Sequence, residues 1–175
     1  MAFGPDGAWL ISSAKTFYFD KLPTGLNTEM DRLIKAGKGT DIKYVAFAPD
    51  GGWILIWGSN GYTASGLPKS AIAEIRKLND DSKEIKQLTF DSNGEWVIVY
   101  GENGLVWSDD ADQGLIDQLK KLNDAGETIR QVAFSPDDGS SGIGWIVLYG
   151  KSDVVGKNLP KTFADKMREL DPTLK

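Results

Sequence analysis

The chain has 175 residues, of which 41% are hydrophobic and 26% charged; its formal net charge is −5, and it contains neither cysteine nor histidine. That balance describes a soluble globular chain with one core or a short repeat array, disfavours a nucleic-acid partner, and supplies no disulfide framework and no thiolate metal site. Without imidazole there is no Ser-His-Asp or Cys-His constellation and no usual zinc site, so catalysis would fall to carboxylates, lysines, tyrosines and hydroxyls.

From the N-terminus, "AFGPDGAW" at Ala2 reads as a strand end, a turn and the start of a second strand headed by Trp9. Met30, Leu33 and Ile34 then recur at helical spacing. The second stretch is the clearest. "IKYVAFAP" alternates apolar and polar residues, "DGG" supplies turn residues, and "WILIWG" is a continuous apolar strand, which together predict a hairpin. Asn60-Gly61 is a pair favoured in type I′ turns and predicts a short third strand, and "LPKSAIAEIRKLN" starts a helix at Pro68 with Ile72, Ile75 and Leu78 on one side. In the third stretch "TFDSNGEW" and "ENGLVW", with Asn103-Gly104, repeat the pattern, and Leu115, Ile116, Leu119 and Leu122 give its helix. The fourth runs from "AFSPDDGSSGIGW", which carries an insertion at Asp138 to Gly144, to a helix with Phe163, Met167 and Leu170.

Phe3, Phe47, Phe90 and Phe134 are spaced by 44, 43 and 44 residues, and a fixed period of this size marks tandem supersecondary units. The prediction is an α+β fold in one domain over residues 1–175. It contains four pseudo-symmetric strand-strand-strand-helix repeats of about 43 residues, at approximately 1–41, 42–84, 85–128 and 129–175. A closed αβ-propeller-like ring, with sheets around an axis and helices outside, is favoured over an open solenoid, because the chain holds close to an integer number of repeats and both faces of "WILIW" are apolar. Asp6, Asp50, Asp91 and Asp137 read as turn residues beside proline and glycine, with a calcium or substrate role as the alternative; no EF-hand-like ladder of carboxylates accompanies them.

The run F-x-P-D-G-x-W, followed by an apolar strand and "NG", resembles the turns of TolB-type, WD-repeat and tachylectin-like β-propellers over roughly the first half of each unit. Those families build four-stranded blades without a regular helix, whereas every unit here adds one, which points to an αβ-propeller. The tachylectin-like resemblance implies glycan binding, although no sugar-binding motif carries over residue by residue.

A non-enzymatic binding module for glycans or a protein surface is therefore expected, with a ligand-free structural or engineered scaffold as one alternative and a carboxylate-pair glycoside hydrolase as a lesser one. The candidate ligand-binding residues are Asn60, Tyr62, Asn103, Trp107 and Asp153: turns of one class should gather on one face of a ring, and an aromatic beside amides and carboxylates suits a sugar. The competing reading is that Asn and Gly only turn the chain and the aromatics fill the core. Lys15 and Thr16 replace the Asn-Gly pair in the first unit, so at most three equivalent sites are expected, and the 138–144 insertion reads as a lid or a tolerated loop. No cofactor and no metal is expected. No apolar run approaches the ~20 residues that span a bilayer, and no basic-then-apolar segment opens the chain; a cytoplasmic monomer is the expectation.

Overall fold

Alternating and continuous apolar runs become strands, and the helical-period runs become helices, in the same order four times. The computed structural model describes residues 2–13, 16–135 and 142–170. The first unit comprises β1 (Ala2–Phe3), β2 (Trp9–Ser13), β3 (Thr16–Asp20) and α1 (Thr24–Lys35). In the second are β4 (Ile42–Phe47), β5 (Trp53–Trp57), β6 (Gly61–Ser65) and α2 (Lys69–Asp80). The third has β7 (Ile85–Phe90), β8 (Trp96–Tyr100), β9 (Gly104–Trp107) and α3 (Gln113–Asp124). The fourth has β10 (Ile129–Phe134), β11 (Trp145–Tyr149), β12 (Asp153–Lys157) and α4 (Lys161–Leu170). Each unit forms its own three-stranded antiparallel sheet in chain order, giving four separate sheets. Lys15, Asp137 and the first part of the insertion, residues 138–141, lie outside the described residues. No described helix is long and apolar enough to cross a membrane.

Period-two alternation decides how the units stack. Side chains of β5 point to opposite faces in turn, and Trp53 and Leu55 join Leu26, Met30 and Leu33 of α1 in one buried cluster, together with Leu10 and Val45. Ile54 and Ile56 join Ala71, Ile75 and Leu78 of α2, together with Leu88, Trp96 and Ile98 of the next sheet. Val97 and Val99 then face α3, whose Leu115, Ile116, Leu119 and Leu122 also meet Val132, Trp145 and Val147 of the fourth sheet. The order through the molecule is sheet, helix, sheet, helix. This corrects the expectation of helices outside the sheets: a sheet apolar on both faces needs a cover on each, and α1, α2 and α3 are each wedged between their own sheet and the next.

The first strands of successive units lie side by side, β1 against β4, β4 against β7 and β7 against β10, and no comparable contact returns from β10 to β1. Among the described residues no sheet closes on itself. A β-bulge interrupts each of the three later first strands at the same place, between Ile42 and Tyr44, Ile85 and Gln87, and Ile129 and Gln131. In the third unit the residue after the bulge reaches sideways to both neighbouring units. Gln87 is buried; its Oε1 accepts from the Val132 backbone N–H at 2.9 Å and its Nε2 donates to the Val132 carbonyl, so one side chain replaces a rung of ladder between β7 and β10. On the other side it meets Tyr44, whose hydroxyl burial pushes above the usual tyrosine range while the bond with Gln87 opposes the shift.

Candidate functional site

Two ends of the units carry different chemistry. At one end gather the turns between first and second strands and the N-termini of the helices. Here the tryptophan that opens each later second strand is docked on the helix start of the unit before it. The Trp96 indole N–H donates to Ser70 Oγ at 3.1 Å, and that of Trp145 donates to Asp112 Oδ1 at 3.0 Å. Trp53 lies so close to α1 that a Cβ on Gly25 would come within 3.1 Å of its ring. Gly25, Ser70 and Gly114 occupy the same second position of α1, α2 and α3; at Gly25 a small residue leaves room for the indole, whereas a Cβ on Gly114 would meet Asp112 and Lys157. Asp112 also accepts from the Leu115 backbone N–H at 2.8 Å as the N-cap of α3, and its Oδ2 pairs with Lys157 at 3.5 Å.

Between the second and third units this end opens into a cleft of about 290 Å³, walled by Asp50, Ser70, Asn93, Glu95 and the edge of Trp96. The turns that form its rim are held by their own acids. Asp50 Oδ1 accepts from the Gly52 N–H at 3.3 Å, and Asp91 Oδ1 accepts from the N–H groups of Asn93 and Glu95 at 2.8 and 2.9 Å. Burial pushes the Asp91 carboxyl above its ordinary range, against the lowering effect of those backbone bonds. Asp91 is thus a turn-builder, while the carboxylates of Asp50 and Glu95, the Asn93 amide and the Ser70 hydroxyl line the opening. Among the described residues no group of three or more acids is placed to hold a metal ion.

The opposite end carries the Asn-Gly turns and the helix C-termini. Asn60 and Tyr62 border a shallow dimple beside Ile56, Asn79, Lys83 and Ile85. Asn60 takes part through its backbone carbonyl, which accepts from Asn79 Nδ2 at 2.7 Å, and the Tyr62 ring packs on the core. Asn103 is a scaffold residue: Nδ2 donates to Asn123 Oδ1 at 2.6 Å and to the Glu127 carbonyl at 2.8 Å, and Oδ1 accepts from the Ile129 N–H at 3.1 Å, tying the turn to the strand that follows α3. Asp153 is exposed at the start of β12, opposite Tyr149. Asn60, Asn103 and Asp153 therefore occupy the same end of three sheets. Trp107 does not join them: it closes β9 opposite Val97, three residues and roughly 10 Å from Gly104, half-buried with Lys120 Nζ 5.2 Å from its ring centroid.

Ser70, Asp112, Gln87 and Glu95 were absent from the sequence-based set. Signals for the first two exist: Ser70 lies in the column of small residues two places after Pro23, Pro68 and Pro160, and Asp112 stands where the other units have that proline. Comparison with protein-family models, curated proteins and solved structures finds no match for the chain.

Proposed function

We propose that the protein is a non-catalytic binding module built on the arc of an αβ-propeller-like ring, and that its ligand is a neutral, hydroxyl-rich molecule, a glycan above all, seated between the second and third units. The observation that carries this reading is the cleft of about 290 Å³, in which the carboxylates of Asp50 and Glu95 supply acceptors beside the Asn93 amide and the Ser70 hydroxyl. Sugar hydroxyls donate well to ionised carboxylates, and these bonds are stronger than neutral ones. Among the described residues no lysine or arginine lines the opening to neutralise the two acids, which disfavours an anionic ligand. A pocket of this size is at the small end of ligand sites and suits one or two sugar rings.

Titration with a panel of neutral oligosaccharides, followed by tryptophan fluorescence, tests the proposal, because Trp96 forms the cleft wall. Saturable binding that is weakened at least about tenfold in Glu95→Gln and unchanged in Asn60→Ala would support this cleft over the Asn-Gly end. Absence of any response at millimolar sugar, or weakening confined to Asn60→Ala, refutes it.

A further inference from the structure

The boundary between units is built three times within the chain, and its fourth instance is open. On the outer face of the first sheet, Ile11 is 42% exposed, whereas its counterparts Leu55, Ile98 and Val147 are each 0% exposed beneath the helix of the preceding unit. Phe3 and Tyr18 share that face, at 70% and 61% exposed. At the other terminus, Phe163 of α4 is 42% exposed, whereas Leu26, Ala71 and Leu115 at the same helical position are 0% exposed between two sheets. Gln131, the counterpart of the bridging Gln87, is exposed as well. A sheet face lacking its helix and a helix lacking its second sheet thus sit at opposite ends of one chain.

We propose that a second copy of this chain covers both ends, α4 of each copy seating on the outer face of the β1–β2–β3 sheet of the other. The three internal boundaries specify the occupant. At the first two the second helix residue, Gly25 or Ser70, is small and meets the indole, at the third the N-cap Asp112 does, and in α4 the hydroxylated Thr162 holds the position of Ser70. Charges match too. Lys157, opposite Trp145 on its sheet, pairs with Asp112 at the preceding helix start. At the open boundary Asp20 is opposite Trp9, and the helix start offers Lys161, so the same pair recurs with its signs exchanged. The contact is head-to-tail, and two copies satisfy it by meeting at both ends and leaving no face over. The proposal extends the ring reading above, since it completes the arc, and departs from the monomer that the sequence suggests.

Sedimentation velocity and light scattering on the full chain test it. The expected particle has twice the 19.1 kDa chain mass. Ile11→Lys and Phe163→Lys, both at exposed sites and each checked for an unchanged circular dichroism melt, should each raise the dissociation constant at least about 100-fold, because one substitution alters both contacts of the pair. Mixing the two variants should restore particles of the double mass, since one contact then joins the unaltered sheet of the Phe163→Lys copy to the unaltered helix of the Ile11→Lys copy. A parent that stays at single mass at every concentration, or grows without limit, overturns the proposal. So does pairing that survives Phe163→Lys, which would mean sheet against sheet, or a mixture that stays monomeric. Glycan titration of monomeric Ile11→Lys keeps the two readings apart, because the cleft between the second and third units is remote from both substituted faces.

Discussion

Replacing Gln87 by leucine keeps the side-chain volume nearly constant and removes both hydrogen-bonding groups, so it isolates the amide bridge between β7 and β10. In the native protein Gln87 is buried, and it satisfies the N–H and the carbonyl of Val132, itself fully buried. Leaving a buried donor or acceptor without a partner costs about 1–3 kcal/mol each, and the Tyr44 hydroxyl loses a partner as well. Against this, leucine no longer carries an amide to be desolvated, which returns part of the cost. The net expectation is a loss of about 2–4 kcal/mol, which for a chain of this length lowers the melting temperature by roughly 5–15 °C. Gln131→Leu is the matched control: the same substitution, at the same position after the same bulge, on an exposed side chain, with an expected change within about 0.5 kcal/mol. Urea titration of both variants in dilute protein, with the parent alongside, reads the difference directly. Equal midpoints for the two variants would refute the view that a side-chain bridge joins the inner strands.

Asn103→Ala removes three hydrogen bonds to the α3–β10 connection and should cost about 2–3 kcal/mol, whereas Asn60→Ala, which leaves the backbone carbonyl bond to Asn79 in place, should cost under about 0.5, as judged by denaturant midpoints. Asp91 gives a pH-dependent prediction. A carboxyl whose folded pKa is raised binds more protons in the folded than in the unfolded state, so its contribution falls as pH rises from about 4, the ordinary aspartate value, through its raised folded value. Asp91→Asn keeps an oxygen to accept from Asn93 and Glu95 while removing that titration, so the stability of the variant relative to the parent should increase across this pH window; a flat or decreasing difference from paired melts would count against the buried charge.

The units themselves were legible because their signals are local. The turn from β5 into β6 was legible, although residues 58–60 build it with Gly58 at φ +57° and Gly61 already pairs with Trp57, so Asn60-Gly61 is not a type I′ pair; the leucines and isoleucines of α2 and α3 lay at helical spacing, and the paired faces of "WILIW" announced that both sides would be covered. What covered them was not local. No period within residues 53–57 says that Trp53 and Leu55 belong to the helix of the unit before and Ile54 to the helix of its own unit. The bulge before Gln87 leaves no signature either, and nothing local marks this polar residue for the interior, where it bonds twice to Val132. The site reading suffered for a related reason. Trp107 and Asn103 are close in sequence, yet an extended strand separates its two ends faster than any other structure, and β9 carries them to opposite ends of its sheet.

Because α1, α2 and α3 are each shared by two sheets, a unit added to this array would bring one helix and one sheet, cover the face that had been open, and expose another of the same kind. The apolar surface at the termini is therefore independent of the number of units between them. Longer arrays gain interior without ever becoming complete, in contrast to solenoids whose end units carry polar outer surfaces. Duplication or loss of a unit would therefore leave every other boundary between units intact.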